Sequence, residues 1–200
     1  MVSYPRPGIK SRLLDAVTVL LDERDPSELT ITMVVARAGV TRPTFYAAFG
    51  DLPTAYAEAA VARIMAALPA NPVKANGVER RDVMKATITQ ALERIAPHAQ
   101  FFRRVLLGHG GHHVQARIIE YLAAEFRSRT PVSAALARGP LPLETSSTAI
   151  AAAVSWTMLD WFTDPQRESV EDLAGRLRDL TYHAVVGGLG RDETPKGISP

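Results

Sequence analysis

Residues 30–49, TITMVVARAGVTRPTFYAAF, constrain the fold more than any other stretch of this chain. They predict a short helix, a Gly-containing turn and a second short helix. Met33, Val34, Ala38 and Val40 fall where a core-facing stripe belongs. Gly39 supplies the positive φ that a tight break between two helices needs. Thr41 is placed to cap the second helix, and Pro43 is tolerated because it falls in that helix's first turn. Such a pair is the helix-turn-helix, which lays its second helix in the DNA major groove. The pattern therefore implies transcription control.

The rest of the chain narrows the classes. Two hundred residues with 46% hydrophobic content suit one large or two small soluble domains. No apolar run approaches the ~18 residues of a membrane span. The opening MVSYPRPGIKSR has no apolar signal core, so a cytoplasmic location is expected. Cysteine is absent, which removes disulfides, thiolate metal sites and cysteine catalysis. Net charge is +2, yet the first 60 residues hold six basic against seven acidic residues. DNA affinity must then come from local placement of charge rather than from a basic domain.

An all-α organisation is expected, because no long period-2 alternation occurs. A first helix spans about Ile9 to Glu23, with Ile9, Leu13, Ala16, Val17, Leu20 and Leu21 as its buried stripe. Asp51 caps a fourth helix running to Leu68, with Pro53 in its first turn. Breakers crowd residues 69–77, after which longer helices are expected at about 78–95, 98–107, 109–129, 145–162 and 169–186. Residues 131–143 read as a loop, with Gly139, Pro140 and Pro142, containing a helical turn around Val132 to Ala137. The division is a helix-turn-helix DNA-binding domain at 1–52, a helical ligand-binding and dimerisation domain at 53–190, and a mobile tail at 191–200.

The candidate DNA-contacting residues are Thr30, Arg37, Thr41, Arg42, Pro43, Thr44, Tyr46, Ala47 and Lys10. Arg42 stands at the N-terminal end of the second helix, where base edges and phosphates are met, and a guanidinium can hold G O6/N7 or a phosphate bidentately. The hydroxyls of Thr44 and Tyr46 suit phosphate oxygens, and Thr30 caps the first helix of the pair. Phe45, Phe49, Tyr56 and Ile64 carry apolar bodies at helical spacing and read as core.

Residues 29–49 resemble the DNA-binding signature of the tetracycline-repressor (TetR) family of bacterial regulators. Thr30, Val34, Ala38-Gly39-Val40, Thr41-Arg42, Thr44-Phe45-Tyr46 and Phe49, followed by Asp51, carry the likeness. The resemblance implies an all-α homodimer with an N-terminal three-helix DNA-binding domain and a variable C-terminal domain for ligand and dimerisation. It implies a double-stranded DNA operator, a small-molecule effector and most often repression. The chain departs from the pattern at Leu52, where a phosphate-binding Lys is usual, at Ala47 and Ala48, where polar residues are common, and at Val35, where Ala is usual. Each missing phosphate contact lowers both affinity and salt slope. Arg6, Lys10 and Arg12 are placed to compensate.

In the C-terminal unit, Val170, Leu173, Leu177, Leu180 and Ala184 repeat at spacings of 3, 4, 3 and 4. Small residues fill 145–162 beside Ile150, Val154 and Met158. With the resemblance, these two helices become the candidate dimer interface, through Ile150, Val154, Met158, Leu173, Leu177, Leu180 and Ala184. The alternative is that both stripes face the protomer's own core. Met84, Ile88, Leu92, Phe102, Leu106, Tyr121, Phe126, Trp156 and Trp161 are the candidate lining of an apolar ligand pocket, with Gln90, Gln115 and Thr157 as polar handles.

His98, His109, His112 and His113 lie close in sequence. Adjacent helical positions point about 100° apart, and Gly108, Gly110 and Gly111 mark a loop, so exposed imidazoles are expected rather than a metal site. No cofactor is expected. Phosphate-loop, Gly-x-Ser-x-Gly and His-Glu-x-x-His patterns are absent, and Asp160, Asp164 and Glu168 read as a solvated helix end, so no enzyme is expected. The rival to a ligand-responsive repressor on a palindromic operator is a helical small-molecule-binding or interaction module whose DNA face has decayed.

Overall fold

The computed structural model describes residues 8–69, 79–128 and 132–186. Arg6, the tail 191–200 and most of the breaker-rich segment at 69–77 lie outside the described residues. Among the described residues ten helices follow one another: α1 Ile9–Glu23, α2 Ile31–Ala38, α3 Arg42–Phe49, α4 Leu52–Ala67, α5 Glu79–Ile95, α6 Ala99–Leu107, α7 Gly111–Ser128, α8 Val132–Leu136, α9 Leu143–Thr163 and α10 Val170–Val186. Short 3-10 turns at Pro26–Glu28 and Ala96–His98 lead into α2 and α6. Among the described residues there is no strand, and no helix is long and apolar enough to cross a membrane.

The N-terminal unit is α1, α2 and α3 around one core. Leu13, Ala16, Val17, Leu20 and Leu21 of α1 are buried, four or fewer positions apart, as an amphipathic stripe should be. Ile9 was expected to belong to this stripe but is exposed, because it is the first residue of the helix. Thr30 caps α2, its hydroxyl accepting the Met33 N–H at 3.3 Å. Gly39 ends α2 in the left-handed region at φ 62°, and the Val40 N–H then reaches back to the Val35 carbonyl at 3.0 Å. Thr41 does stand at the N-cap of α3, but its hydroxyl makes no cap bond; it pairs with the Thr44 hydroxyl at 2.8 Å.

Asp51 caps α4 by accepting the Thr54 N–H at 2.8 Å. That bond, with the Thr54 hydroxyl assisting, holds the Asp51 carboxyl below its usual value of 3.8. Helix α4 is buried on most sides, through Ala55, Tyr56, Ala57, Ala59, Ala60, Val61, Ile64 and Ala67. It packs on α1 and α3 of the N-terminal unit and on α5, α6 and α7 of the C-terminal unit. Tyr56 donates to the Pro26 carbonyl at 3.0 Å from a fully buried position, and burial pushes its phenol up to about 12.

In the C-terminal unit α7 lies between α4 and α9, and α10 lies along α5. Phe102 of α6 stacks on Phe162 of α9, with centroids 5.0 Å apart and planes 5° from parallel. The helical turn expected around Val132 to Ala137 is α8, whose Leu136 is buried. Leu173 and Leu177 were candidates for a partner-facing stripe; both are buried inside the protomer, where α10 packs on α5. Ile150 is likewise buried within the protomer. A 3-4 spacing fixes that a stripe is covered, and here the cover is the chain itself.

Candidate nucleic-acid interface

The geometry of the N-terminal unit is set by which face of α3 its aromatic residues bury. Phe45 and Phe49 point inward, with ring centroids 5.5 Å apart. The helix repeat then turns Arg42, Pro43, Tyr46 and Ala47 outward. All four are exposed, Tyr46 by 53% while its ring still meets the edge of Phe45 at 6.0 Å. Thr41 is exposed beside them and Thr44 is half-buried.

Arg42 stands in the first turn of α3 and donates through Nη2 to the hydroxyl of Thr32 in the first turn of α2. The N-terminal turns of the two helices are thereby tied together through Arg42 and Thr32, while the Thr41 and Thr44 hydroxyls pair with each other and Thr30 caps α2. No carboxylate pairs with Arg42 among the described residues. Thr32 was not singled out from sequence; the available signal is an exposed hydroxyl two residues past a capping Thr, at the end of a helix where anions are favoured.

Two other candidate cations are engaged within the chain. Arg37, in the last turn of α2, meets Glu23 at 3.4 Å, and no hydrogen bond or ion pair joins it to the Arg42 cluster. Lys10 reaches Glu58 of α4 at 3.4 Å and sits 5.9 Å from the Phe49 ring centroid. Glu58 in turn holds Arg117 of α7 at 3.2 Å. Hydrogen bonds that the Arg117 guanidinium donates to Glu120 and Glu58 raise it further above its already high value. Arg12 points Nη2 at the Gly39 carbonyl, 3.5 Å away. Exposed ion pairs are worth only about 0–1 kcal/mol, so a phosphate can recruit Lys10 or Arg37 from them at little cost.

Leu52 begins α4 half-buried and packs against the core, so the apolar residue has an apolar surrounding. It edges a cleft of about 530 Å³ together with Tyr46, Gly50, Asp51, Pro53 and His109. A second cleft, of about 430 Å³, lies between the Pro26–Glu28 turn and α6. None of the nine candidate pocket residues lines either cleft. Leu92, Phe102, Leu106 and Trp161 are packed in the core, and Trp161 donates Nε1–H to the Glu168 carbonyl at 2.9 Å. Met84, Ile88, Tyr121 and Phe126 are half-buried, and Trp156 is 60% exposed on α9.

The histidines are spread over the 3-10 turn before α6 and the start of α7. His98 is held below its usual value by burial and then by the Arg63 charge, against Asp22. His113 is near enough to Asp51 to help lower that carboxyl. Among the described residues no three His, Cys, Asp or Glu side chains are grouped to hold a metal ion.

Residues 13–51 match the family model of bacterial regulatory proteins, tetR family. No curated protein sequence matches the chain. Among solved structures, the fold is similar to the TetR family repressor AlkX from Dietzia sp. Strain DQ12-45-1b, implicated in biodegradation of n-alkanes. The TM-score is 0.56 at 17% identity, covering 90% of this chain and 97% of that one. A TetR transcriptional regulator from Rhodococcus sp. RHA1 gives 0.58 at 14% identity, over 89% and 95%. FadR from Bacillus subtilis in complex with stearoyl-CoA gives 0.52 at 13% identity, over 88% and 97%.

Proposed function

We infer that this chain is a ligand-responsive DNA-binding transcriptional regulator, from the premise that residues 13–51 are a DNA-binding domain of the TetR family of bacterial regulators. The observation that carries the reading is the outward row on α3. Among the described residues Arg42 pairs with no carboxylate and is held by the Thr32 hydroxyl, with the Thr41–Thr44 hydroxyl pair on the same helix turn and Tyr46 exposed one turn further on. A guanidinium at the start of a recognition helix is placed to take guanine or phosphate, and hydroxyls around it suit phosphate oxygens. Repression of a palindromic operator by a homodimer is the proposed mode, with two copies of α3 in successive major grooves about 34–36 Å apart.

Since Leu173, Leu177 and Ile150 are taken up by the protomer, the proposed partner face is the outward side of α9: Thr145, Ala149, Ala152 and Trp156, one helical face by spacing. The half-buried Val154, Met158, Leu180 and Ala184 complete the candidates. A small hydrophobic effector is proposed to enter among α5, α6, α7 and α9. The stearoyl-CoA complex of the Bacillus subtilis FadR supports an apolar effector for a protein of this fold. Coupling requires the effector to favour one spacing of the two heads over another, typically by about 1–3 kcal/mol.

The test is selection of genomic DNA fragments by the purified protein at two salt concentrations, with Arg42→Ala in parallel. Enrichment of a palindromic site, weakened by about 1–3 kcal/mol in the variant, is expected. Operator affinity untouched by Arg42→Ala would displace α3 as the reading helix. The engagement of Lys10 and Arg37 with carboxylates favours one second reading, a binding module with a decayed DNA face. Binding with a flat salt dependence would select it.

A further inference from the structure

We propose that the cleft between the Pro26–Glu28 turn and α6 binds a small oxyanion, a carboxylate or phosphate on a short apolar group. The site is separate from the DNA face and does not depend on the regulator reading. At about 430 Å³ the cleft is of metabolite size. Gln100, Arg103 and His109 line it, and among the described residues none of their three side chains makes a hydrogen bond or ion pair. Each brings a side-chain donor to the lining of the cleft.

Arg104 supplies the fixed part. Its side chain is only 20% exposed, and Nη1 is committed to the carbonyls of Leu21 at 3.2 Å and Asp22 at 2.6 Å, at the end of α1. Its Nε is buried and has no hydrogen-bond acceptor among the described residues. The ion-pair partner of that atom, Asp25 Oδ1, is 3.4 Å away on a side chain that is 63% exposed. Two guanidinium charges thus face one loosely held carboxylate. A guanidinium fork matches carboxylate and phosphate oxygens, and an oxyanion displacing Asp25 would give Arg104 Nε the acceptor it lacks.

The walls are set in advance of any ligand. A Cβ on Gly108 would lie 2.9 Å from Pro26 Cγ and 2.5 Å from the Arg104 carbonyl, so the α6–α7 turn is seated directly on the Pro26 turn. Tyr56 pins the same turn through the Pro26 carbonyl. The exposed Leu107 offers apolar surface beside the donors, with the edge of the otherwise buried Pro26 on the same lining, which sets the class of ligand as an anion with a short apolar tail. Site rigidity of this kind reduces the ordering cost of binding.

The test titrates the full chain with sodium phosphate and, separately, sodium butyrate, against sodium chloride at matched ionic strength. The readout is the NMR resonance of the Arg104 Nε–H. A saturable shift with either anion, absent in chloride, is expected. Arg103→Gln should weaken that anion about tenfold, the effect of losing one charge-assisted contact. Asp25→Asn should tighten it several-fold, because the resident competitor is gone. Phosphate or butyrate alone saturating the shift identifies which oxyanion is taken. No saturable shift with either, affinity unchanged in Arg103→Gln, or affinity not raised in Asp25→Asn would each overturn the proposal.

Discussion

Phe45 and Asp51 govern how α3 is presented, and each makes a separate prediction. Phe45 is fully buried against Phe49, so Phe45→Ala should destabilise the protein by about 3–5 kcal/mol in urea unfolding. Truncating the neighbouring Tyr46, which is mostly in solvent, should cost far less. Asp51→Ala removes the cap of α4 and should cost about 1 kcal/mol at neutral pH. The folded Asp51 carboxyl lies below 3.8, so its stabilisation is complete above that value and disappears as pH falls through the folded pKa. The stability gap between wild type and Asp51→Ala should therefore close in acid. A gap that stays constant down to pH 2 would show that the charged carboxylate is not what caps the helix.

Among the elements, the α2–α3 break is where local rules decide the outcome. Gly39 sits at φ 62° with no neighbour within 4 Å of where a Cβ would stand, so Gly39→Ala meets only a conformational penalty, about 1–2 kcal/mol. Gly39→Asn should lose less, since Asn tolerates the left-handed region; thermal unfolding of the two variants checks the order. The same locality explains why this region was legible in the sequence. Thr30, Gly39, Pro43, Asp51 and the Phe45–Phe49 pair each act over four residues or fewer, and the structure places all of them as their chemistry requires. The failures are non-local. Leu173 and Leu177 announce a covered stripe, but whether α5 or a second protomer covers it depends on where the chain returns, which spacing does not encode. Trp156 and Trp161 look alike in sequence, yet one is in solvent and the other in the core, because five residues on a helix turn a side chain to a different face. Arg104 belongs to no motif, and its role comes from α1 carbonyls more than 80 residues earlier.

For the whole molecule, the exposed Trp156 on α9 is the residue whose environment a second copy should change most. Trp156→Glu should convert the proposed dimer to a monomer in sedimentation velocity while leaving the thermal unfolding of the protomer within a degree or two, since the side chain packs on little in its own chain. A dimer that survives the change would move the partner face elsewhere. Helix α4 joins the two units, and five of its eight buried residues are alanine: Ala55, Ala57, Ala59, Ala60 and Ala67. Alanine has no rotamer to change, whereas Tyr56, Val61 and Ile64 stand among them as fixed teeth, and Tyr56 is tied to the Pro26 carbonyl. The joint is smooth only between its teeth. Displacement of the C-terminal helices should reach the N-terminal unit as a short slide that those three side chains bring to a stop.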